Sequence, residues 1–145
     1  MAKPGIEFLR EIIAGKQAAP PIQATLGLEL LEVKDGFARF QMLPGEKLYA
    51  WQGAVPGGVA AALLDAAMGA AVTTVLDAQT GYATATLSVH MTRAITARAG
   101  KVFAEGWVVH RGSRLVTSEG RLNDEQGRLL AHGSATSSLL ERPAT

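Results

Sequence analysis

Pro56-Gly57-Gly58-Val59-Ala60-Ala61-Ala62-Leu63-Leu64-Asp65-Ala66-Ala67-Met68-Gly69 places a single carboxylate inside a long apolar, alanine-rich segment. The run predicts a helix from about Gly57 to Leu76. Between Lys47 and Arg93 the only formal charges are Asp65 and Asp77. Asp77 stands where the apolar run ends and reads as an ordinary solvated residue. Asp65 stands in the middle. An ionised carboxylate in apolar surroundings is costly unless it is paired, hydrated or shifted in pKa, so Asp65 is a candidate for chemistry. A helix that is apolar all round is one wrapped by other structure. Its small residues allow close backbone approach, which suits a helix gripped by a curved sheet.

The same run invites a membrane reading. Val59 to Leu76 is 18 residues long, near the lower limit for a spanning helix, but it holds Asp65, Gly69, Thr73, Thr74 and seven alanines. Alanine is weakly apolar, and an Asp at mid-bilayer costs roughly 2.5–3.5 kcal/mol on insertion scales. No membrane association is expected.

Working outward, Leu26 to Val33 reads as a strand and Phe37 to Leu43 as its partner, with Lys34-Asp35-Gly36 as the turn. Ala38, Phe40 and Met42 alternate with Arg39 and Gln41, the half-buried pattern. Gly5 to Lys16 predicts a short helix, with Ile6, Leu9, Ile12 and Ile13 at helical spacing. Pro20-Pro21 ends it and starts an extended connection. Beyond the long helix lie four predicted strands: Tyr82 to Thr92, Val102 to Arg111, Arg114 to Asn123 and Arg128 to Leu139. Gly112-Ser113 and Asp124-Glu125-Gln126-Gly127 supply turns. In the last strand Leu129, Ala131, Gly133 and Ala135 fall on one face, and Arg128, Leu130, His132, Ser134 and Thr136 on the other. Strands joined by hairpins imply an antiparallel sheet, and one long helix against it makes an α+β layer. The expected organisation is an N-terminal helix and linker over residues 1–21, one domain over 22–140, and a loose tail over 141–145.

Composition narrows the function. The chain has 145 residues, the size of one domain, and 48% hydrophobic residues supply a core. Fourteen basic and 13 acidic residues leave a net charge of +1, without the basic stripe of a nucleic-acid module. With no cysteine there is no disulfide, thiolate metal site or Cys nucleophile. Ala2-Lys3-Pro4-Gly5 leads into a charged amphipathic segment rather than a signal peptide, so a cytoplasmic location is expected.

With these elements in place, the chain resembles hotdog-fold thioesterases of the phenylacetate-degradation (PaaI-like) group over roughly residues 22 to 139. That group shows Asn, two residues, Gly, two residues, then His-Gly-Gly, about four residues, Leu and Asp. Gly53, Gly57, Gly58, Leu63 or Leu64, and Asp65 match it. Gly81-Tyr82-Ala83-Thr84-Ala85-Thr86-Leu87-Ser88-Val89-His90 resembles the strand that brings a Ser or Thr near the reacting carboxylate, with Thr84 the first choice and Thr86 the second. Val108-Val109-His110-Arg111-Gly112-Ser113-Arg114 resembles the following hairpin. Two positions depart: Ala50 stands where the group has Asn, and Pro56 where it has His. Gln52 is the nearest amide, and Pro is at home beside a helix N-terminus.

The resemblance implies an α+β hotdog fold and an acyl-CoA thioesterase for a small aromatic or medium-chain acyl group, working without a cofactor. It also implies a homodimer, or a dimer of dimers, in which the two long helices run antiparallel. Asp65 lies eight residues after Gly57, about 12 Å along one helix. That is too far for both to touch one thioester within a subunit, so a shared site is expected. Gly57 and Gly58 amides at the helix N-terminus would polarise the carbonyl. Asp65 would attack it or activate a water, and Thr84 would orient the water or the carboxylate. Pro56, Gln52 and Thr86 join Gly58 as candidate substrate contacts, and Arg111 and Arg114 could meet coenzyme A phosphates. Trp51, Tyr49 and Phe103 are candidate acyl-pocket residues. His90, His110 and His132 are scattered without metal spacing, and no Gly-x-Ser-x-Gly elbow exists. The alternatives are a hotdog protein that binds an acyl thioester without cleaving it, and a hydratase or dehydratase using Asp65 with a His such as His90.

Overall fold

The computed structural model describes residues 3–142; Pro143, Ala144 and Thr145 of the expected tail lie outside the described residues. Two short helices, α1 (Gly5–Ile13) and α2 (Pro21–Leu26), precede a hairpin of β1 (Leu28–Lys34) and β2 (Phe37–Met42). A loop leads to α3 (Gly57–Thr73), followed by β3 (Thr80–Met91), β4 (Val102–Arg111), β5 (Leu115–Asn123) and β6 (Leu129–Glu141). The strands form one antiparallel sheet in the order β1-β2-β4-β5-β6-β3. α3 packs against all six strands, so the sheet wraps the helix in the hotdog arrangement.

The contact is close because the sequence leaves room for it. Ala60, Leu63, Leu64, Ala67, Met68 and Ala71 form the buried side of α3. Facing them, Gly106 in β4 has no side chain to hold the helix away. A Cβ there would stand 2.5 Å from the Ala67 carbonyl carbon and oxygen and 2.6 Å from the Met68 nitrogen. Phe40, Met42, Ala104, Leu122 and Leu130 close the core from the sheet. At the far end of α3, Thr74 ends the helix earlier than the apolar run suggests. Its hydroxyl accepts from the Gly36 N–H at 2.8 Å and donates to the Ala71 carbonyl at 2.6 Å, tying the β1–β2 turn to the helix terminus.

Two sequence expectations change. The extended connection after Pro20 is a helical turn, α2, with Pro21 at its first position and Gly27 at φ 72° as its left-handed cap. The strict face assignment of the last strand also fails at its start. Ala131 pairs with Leu122 and Leu129 with Asn123, so Leu130 is an extra residue. Leu130 and Ala131 are both buried, and Leu129 faces out. Asp124 holds the adjoining turn by accepting from the N–H groups of Gln126 at 3.0 Å and Arg128 at 2.9 Å and from Arg128 Nε at 2.7 Å. No described helix is long and apolar enough to cross a membrane.

Two features of this frame position the site. The Gly5 N–H donates to the Leu76 carbonyl at 3.0 Å, fastening the start of α1 beyond the C-terminal end of α3. β3 pairs only with β6, so its other edge has no strand partner among the described residues.

Candidate active site

Asp65 leaves α3 on the side turned away from the buried stripe. Leu63, Leu64, Ala67 and Met68 are buried, whereas Ala62, Asp65, Ala66 and Thr73 are half-buried. Because alanine occupies both sides, the helix hides this asymmetry in its composition. Asp65 is therefore not sealed in the core. It lines a cavity of about 400 Å³ between α3 and the two N-terminal helices. Thr84 Oγ1 donates a hydrogen bond to Asp65 Oδ1 at 2.9 Å. Of the ways to keep a carboxylate in apolar company, the fold uses a partner and an open cavity.

A bulge in β3 decides which threonine does this. Thr84 pairs with Ser137 and Thr86 with Thr136, leaving Ala85 unpaired. The insertion reverses the facing of every later residue. Tyr82 and Thr84 face α3 before it, and Val89 and Met91 face inward after it. Thr86 falls in phase with Ser88 and His90, which line a concavity on the outer face of the sheet. Thr86, the second choice for the Asp65 partner, is thus carried to the opposite face.

Tyr82 lies within the matched strand, but the resemblance assigns it no role there. A Cβ on Gly69, one helical turn beyond Asp65, would collide with the Tyr82 hydroxyl. Gly69 therefore lets the phenol lie against α3. Burial, and then the Asp65 carboxylate, push the Tyr82 phenol above its ordinary value. The signal was available in the strand's period of two, since Tyr82 shares Thr84's face. Phe8, Leu9 and Ile12 of α1, Ile22 of α2 and Phe40 of β2 supply the apolar wall. The aromatic candidates from the sequence do not. Trp51 is fully exposed, at 102% of its reference area. The Tyr49 hydroxyl accepts from the Ala97 N–H at 2.7 Å, and Phe103 lies under the Arg39 guanidinium at 4.3 Å.

The N-terminal end of α3 opens on a different cavity, of about 500 Å³, lined by Gln52, Gly57, Met91 and Arg93 among others. Pro56 is the N-cap and has no side chain to bond the first-turn amides. The first backbone N–H groups to find partners are those of Val59 and Ala60, both on the Pro56 carbonyl. The amides of Gly57 and Gly58 are left for a ligand or water. The Met91 methyl lies against the Gly57 Cα, and nothing stands within 4 Å of a Cβ on Gly58. One chain thus brings Asp65 to Thr84, and Gln52 to Pro56, Gly57 and Gly58, but not the first group to the second. Arg93 is a cation in this second cavity that the motif reading did not single out.

Arg111 and Arg114 flank the β4–β5 turn, exposed, and line neither cavity. Arg111 Nη1 donates to the Gly112 carbonyl at 3.0 Å. Arg111 lies near Asp77, whose carboxyl is held below its ordinary value mainly by the Thr80 hydroxyl and the Gln79 N–H, with Arg111 adding a smaller effect. His90 and His132 stack with ring centroids 5.3 Å apart on the outer face, far from the Asp65 side. No cluster of three or more metal-binding side chains occurs among the described residues.

The pattern of the family described as "Thioesterase superfamily" matches residues 52–131, more than half of the chain. No curated protein matches it. Among solved structures, a phenylacetic acid degradation-related protein from Ralstonia eutropha JMP134 superposes with a TM-score of 0.82 at 23% identity, over 90% of this chain and 98% of its own. The PaaI protein of the E. coli phenylacetic acid degradation operon gives a TM-score of 0.81 at 16% identity, over 97% of each chain. Thioesterase HI1161 from Haemophilus influenzae gives 0.82 at 17% identity, over 97% of this chain and 96% of its own. At these identities the likeness establishes the hotdog fold.

Proposed function

The chain belongs to the thioesterase superfamily, and we propose that it hydrolyses the thioester of a small aromatic or medium-chain acyl-CoA at a site shared by two copies. The observation that carries the reading is the Thr84–Asp65 hydrogen bond at 2.9 Å on the rim of an apolar cavity. A cavity of about 150 Å³ holds a benzene ring, so the Asp65 cavity has room for a ring or a medium acyl chain.

The two half-sites explain why a second copy is needed. Gly57 and Asp65 are separated by about 12 Å of helix and open on different cavities. An antiparallel partner helix would set the Gly57 end of one copy beside Asp65 of the other. The unpaired edge of β3, with Leu87 at 40% and Met91 at 51% exposure, supplies a strand-long surface for that pairing. The uncapped Gly57 and Gly58 amides would then donate to the thioester oxygen and stabilise the charge that gathers there.

Asp65 has two routes from this position. As nucleophile, its carboxylate forms a bond to the carbonyl carbon while the C–S bond breaks. The thiolate leaves to take a proton from water, and a second water opens the mixed anhydride. As general base, it takes a proton from a water that attacks the carbonyl carbon; the C–S bond breaks, and the proton held by Asp65 passes to the departing thiolate. In either route Thr84 donates to Oδ1 and leaves Oδ2 to react.

The test is thiol release from a panel of aromatic and aliphatic acyl-CoAs by the native protein, Asp65→Asn and Asp65→Ala. A loss on the order of 10²–10⁴ in kcat is expected for both variants. Single turnover in ¹⁸O-water tests the nucleophile route: label in Asp65 requires it, through water attack on the Asp65 carbonyl of the anhydride, whereas label in the acyl product alone fits either route. Undiminished turnover by Asp65→Ala would refute the reading. So would turnover of none of the panel by the native protein alongside retained acyl-CoA binding, which would make the chain a binder.

A further inference from the structure

His90 and His132 lie far apart in the sequence, and no spacing motif joins them. The register of the sheet does. β3 pairs with β6, and the two histidines are direct partners across that pairing. Residues directly opposite each other on one face have Cβ atoms about 4.5–5.5 Å apart. Here the imidazole centroids stand 5.3 Å apart, with their planes 25° from parallel. Both side chains are exposed on the outer face and line a concavity of about 520 Å³. Its lining includes Gly120 and Gly133, themselves partners across β5 and β6. Gly120 lets the backbone sit close on α3, since a Cβ there would stand 3.1 Å from Met68 Cγ and 3.3 Å from Leu64 Cδ2. The backbone drawn toward the helix leaves the hollow in which the imidazoles stand.

A neutral imidazole offers a nitrogen lone pair of the kind that zinc and copper take. Two imidazoles on one tetrahedral Zn²⁺, with Zn–N bonds of about 2.0–2.1 Å, place their ring centroids about 5 Å apart. The backbone register already sets that separation. The rings need only turn about χ2, a broad torsion for histidine, to aim one nitrogen each at a common point. The surrounding charges admit a cation. Arg121 is the partner of His132 across β5 and β6, but its guanidinium lies over the Trp107 ring, 5.5 Å from the centroid. Trp107 belongs to β4, on the far side of β5 from β6, so this charge is drawn away from the imidazoles. Glu119, the partner of Ser134, adds a carboxylate to the same concavity and offsets it. With no cluster of three metal-binding side chains among the described residues, water would fill the remaining positions.

We propose that His90 and His132 form a two-imidazole chelate for a divalent transition-metal ion, Zn²⁺ or Cu²⁺, on the outer face of the sheet. Hard ions such as Mg²⁺ take oxygen ligands and are not bound. Copper binds such a nitrogen pair more tightly than zinc. The site is separate from the proposed hydrolysis, because neither imidazole lines the Asp65 cavity or the Gly57 cavity. The bound ion ties β3 to β6 through side chains as well as through the backbone ladder. β3 is the edge strand that carries Thr84. Only the folded register holds the two rings together, so the ion stabilises the fold by mass action.

The experiment titrates the tag-free full-length protein with ZnCl₂, CuCl₂ and MgCl₂ by calorimetry at neutral pH, alongside His90→Ala, His132→Ala and His110→Ala. His110 is the histidine of β4 and serves as the control. The native protein should bind copper and zinc, copper more tightly, and leave magnesium unbound. Loss of an outer-shell partner alone weakens a metal site by about 10–100-fold, so loss of either imidazole should weaken zinc at least about tenfold. The double variant should be little worse than either single one, and His110→Ala should bind as the native protein does. The paramagnetic resonance spectrum of the copper form should show two coupled nitrogens, falling to one or none in His90→Ala. Zinc should raise the Tm of the native protein and not that of His90→Ala. His90→Gln and His132→Gln give the same comparison if an alanine variant does not fold. Absence of zinc and copper binding by the native protein, equal affinity in the folded His90 and His132 variants, or loss of binding in His110→Ala overturns the proposal.

Discussion

Replacing Gly106 by alanine adds one methyl at the centre of β4 and should destabilise the fold more than most single-methyl changes. The new Cβ would lie 2.5–2.6 Å from three backbone atoms of Ala67 and Met68. Carbon and its neighbours rest at about 3.5–4.0 Å, so roughly 1 Å must be found. No flexible side-chain tip can yield, because the obstructing atoms belong to the helix backbone. Either α3 lifts from the sheet or β4 bends outward, and both loosen the buried row from Leu63 to Ala71. Overpacking of this kind costs about 1–3 kcal/mol, and rigid obstruction points to the upper end. For a chain of this size that is a fall in Tm of roughly 6–12 °C.

The assay is thermal unfolding followed by circular dichroism at fixed protein concentration, with Gly58→Ala as the counterpart. The same methyl on Gly58 meets nothing within 4 Å in the first turn of α3. That variant should be neutral or more stable by about 0.4–1 kcal/mol, through the lower freedom of its unfolded chain. If Gly106→Ala unfolds within about 0.5 kcal/mol of the native protein, the close seat of α3 on β4 is not what the geometry says it is.

Thr84→Val should lower kcat about tenfold with little change in KM, while Thr84→Ser retains most activity, as read by thiol release; equal rates for all three would show that the Asp65 hydrogen bond is dispensable. Asp124 gives a pH prediction. Burial alone would raise its carboxyl, but the Arg128 N–H and guanidinium and the Gln126 N–H outweigh that and hold it below 3.8. A carboxyl lowered on folding stabilises the protein above its unfolded value, and that contribution fades as pH falls through the lower folded value. The Tm difference between native and Asp124→Asn protein should therefore be constant near neutrality and shrink below pH 3.8; a difference that grows on acidification would contradict it.

The large outlines were legible because they follow from periodicity and punctuation. The span of β4 coincides with the expected Val102 to Arg111, and α3 begins at the expected Gly57. Hydrophobic spacing and an uncommon Gly-Gly turn are local signals, and they needed no knowledge of what packs where. The misses share another cause. α2 is six residues after two prolines, too short for a period to show. The bulges at Ala85 and Leu130 come from register with neighbouring strands, which no single segment records. The half-exposed side of α3 was masked by alanines on every side. Asp65 stood out as the lone carboxylate of an apolar run and Thr84 through the resemblance of its strand, and the structure joins the two by a hydrogen bond of 2.9 Å. Tyr82 was not singled out, because its importance lies in what surrounds it.

The unpaired Ala85 has a further meaning. β3 is two half-strands joined out of phase. The half before Ala85 presents Tyr82 and Thr84 toward α3, and the half after it presents Val89 and Met91. Removing Ala85 would restore one continuous alternation, and the two halves could no longer both keep their inner residues. Either the Asp65 partner or the Gly57 cover would swing outward. The chemistry of one end and the covering of the other are therefore coupled through chain length rather than side-chain identity. In this fold a single insertion or deletion can switch a hydroxyl into or out of reach while every residue type stays the same.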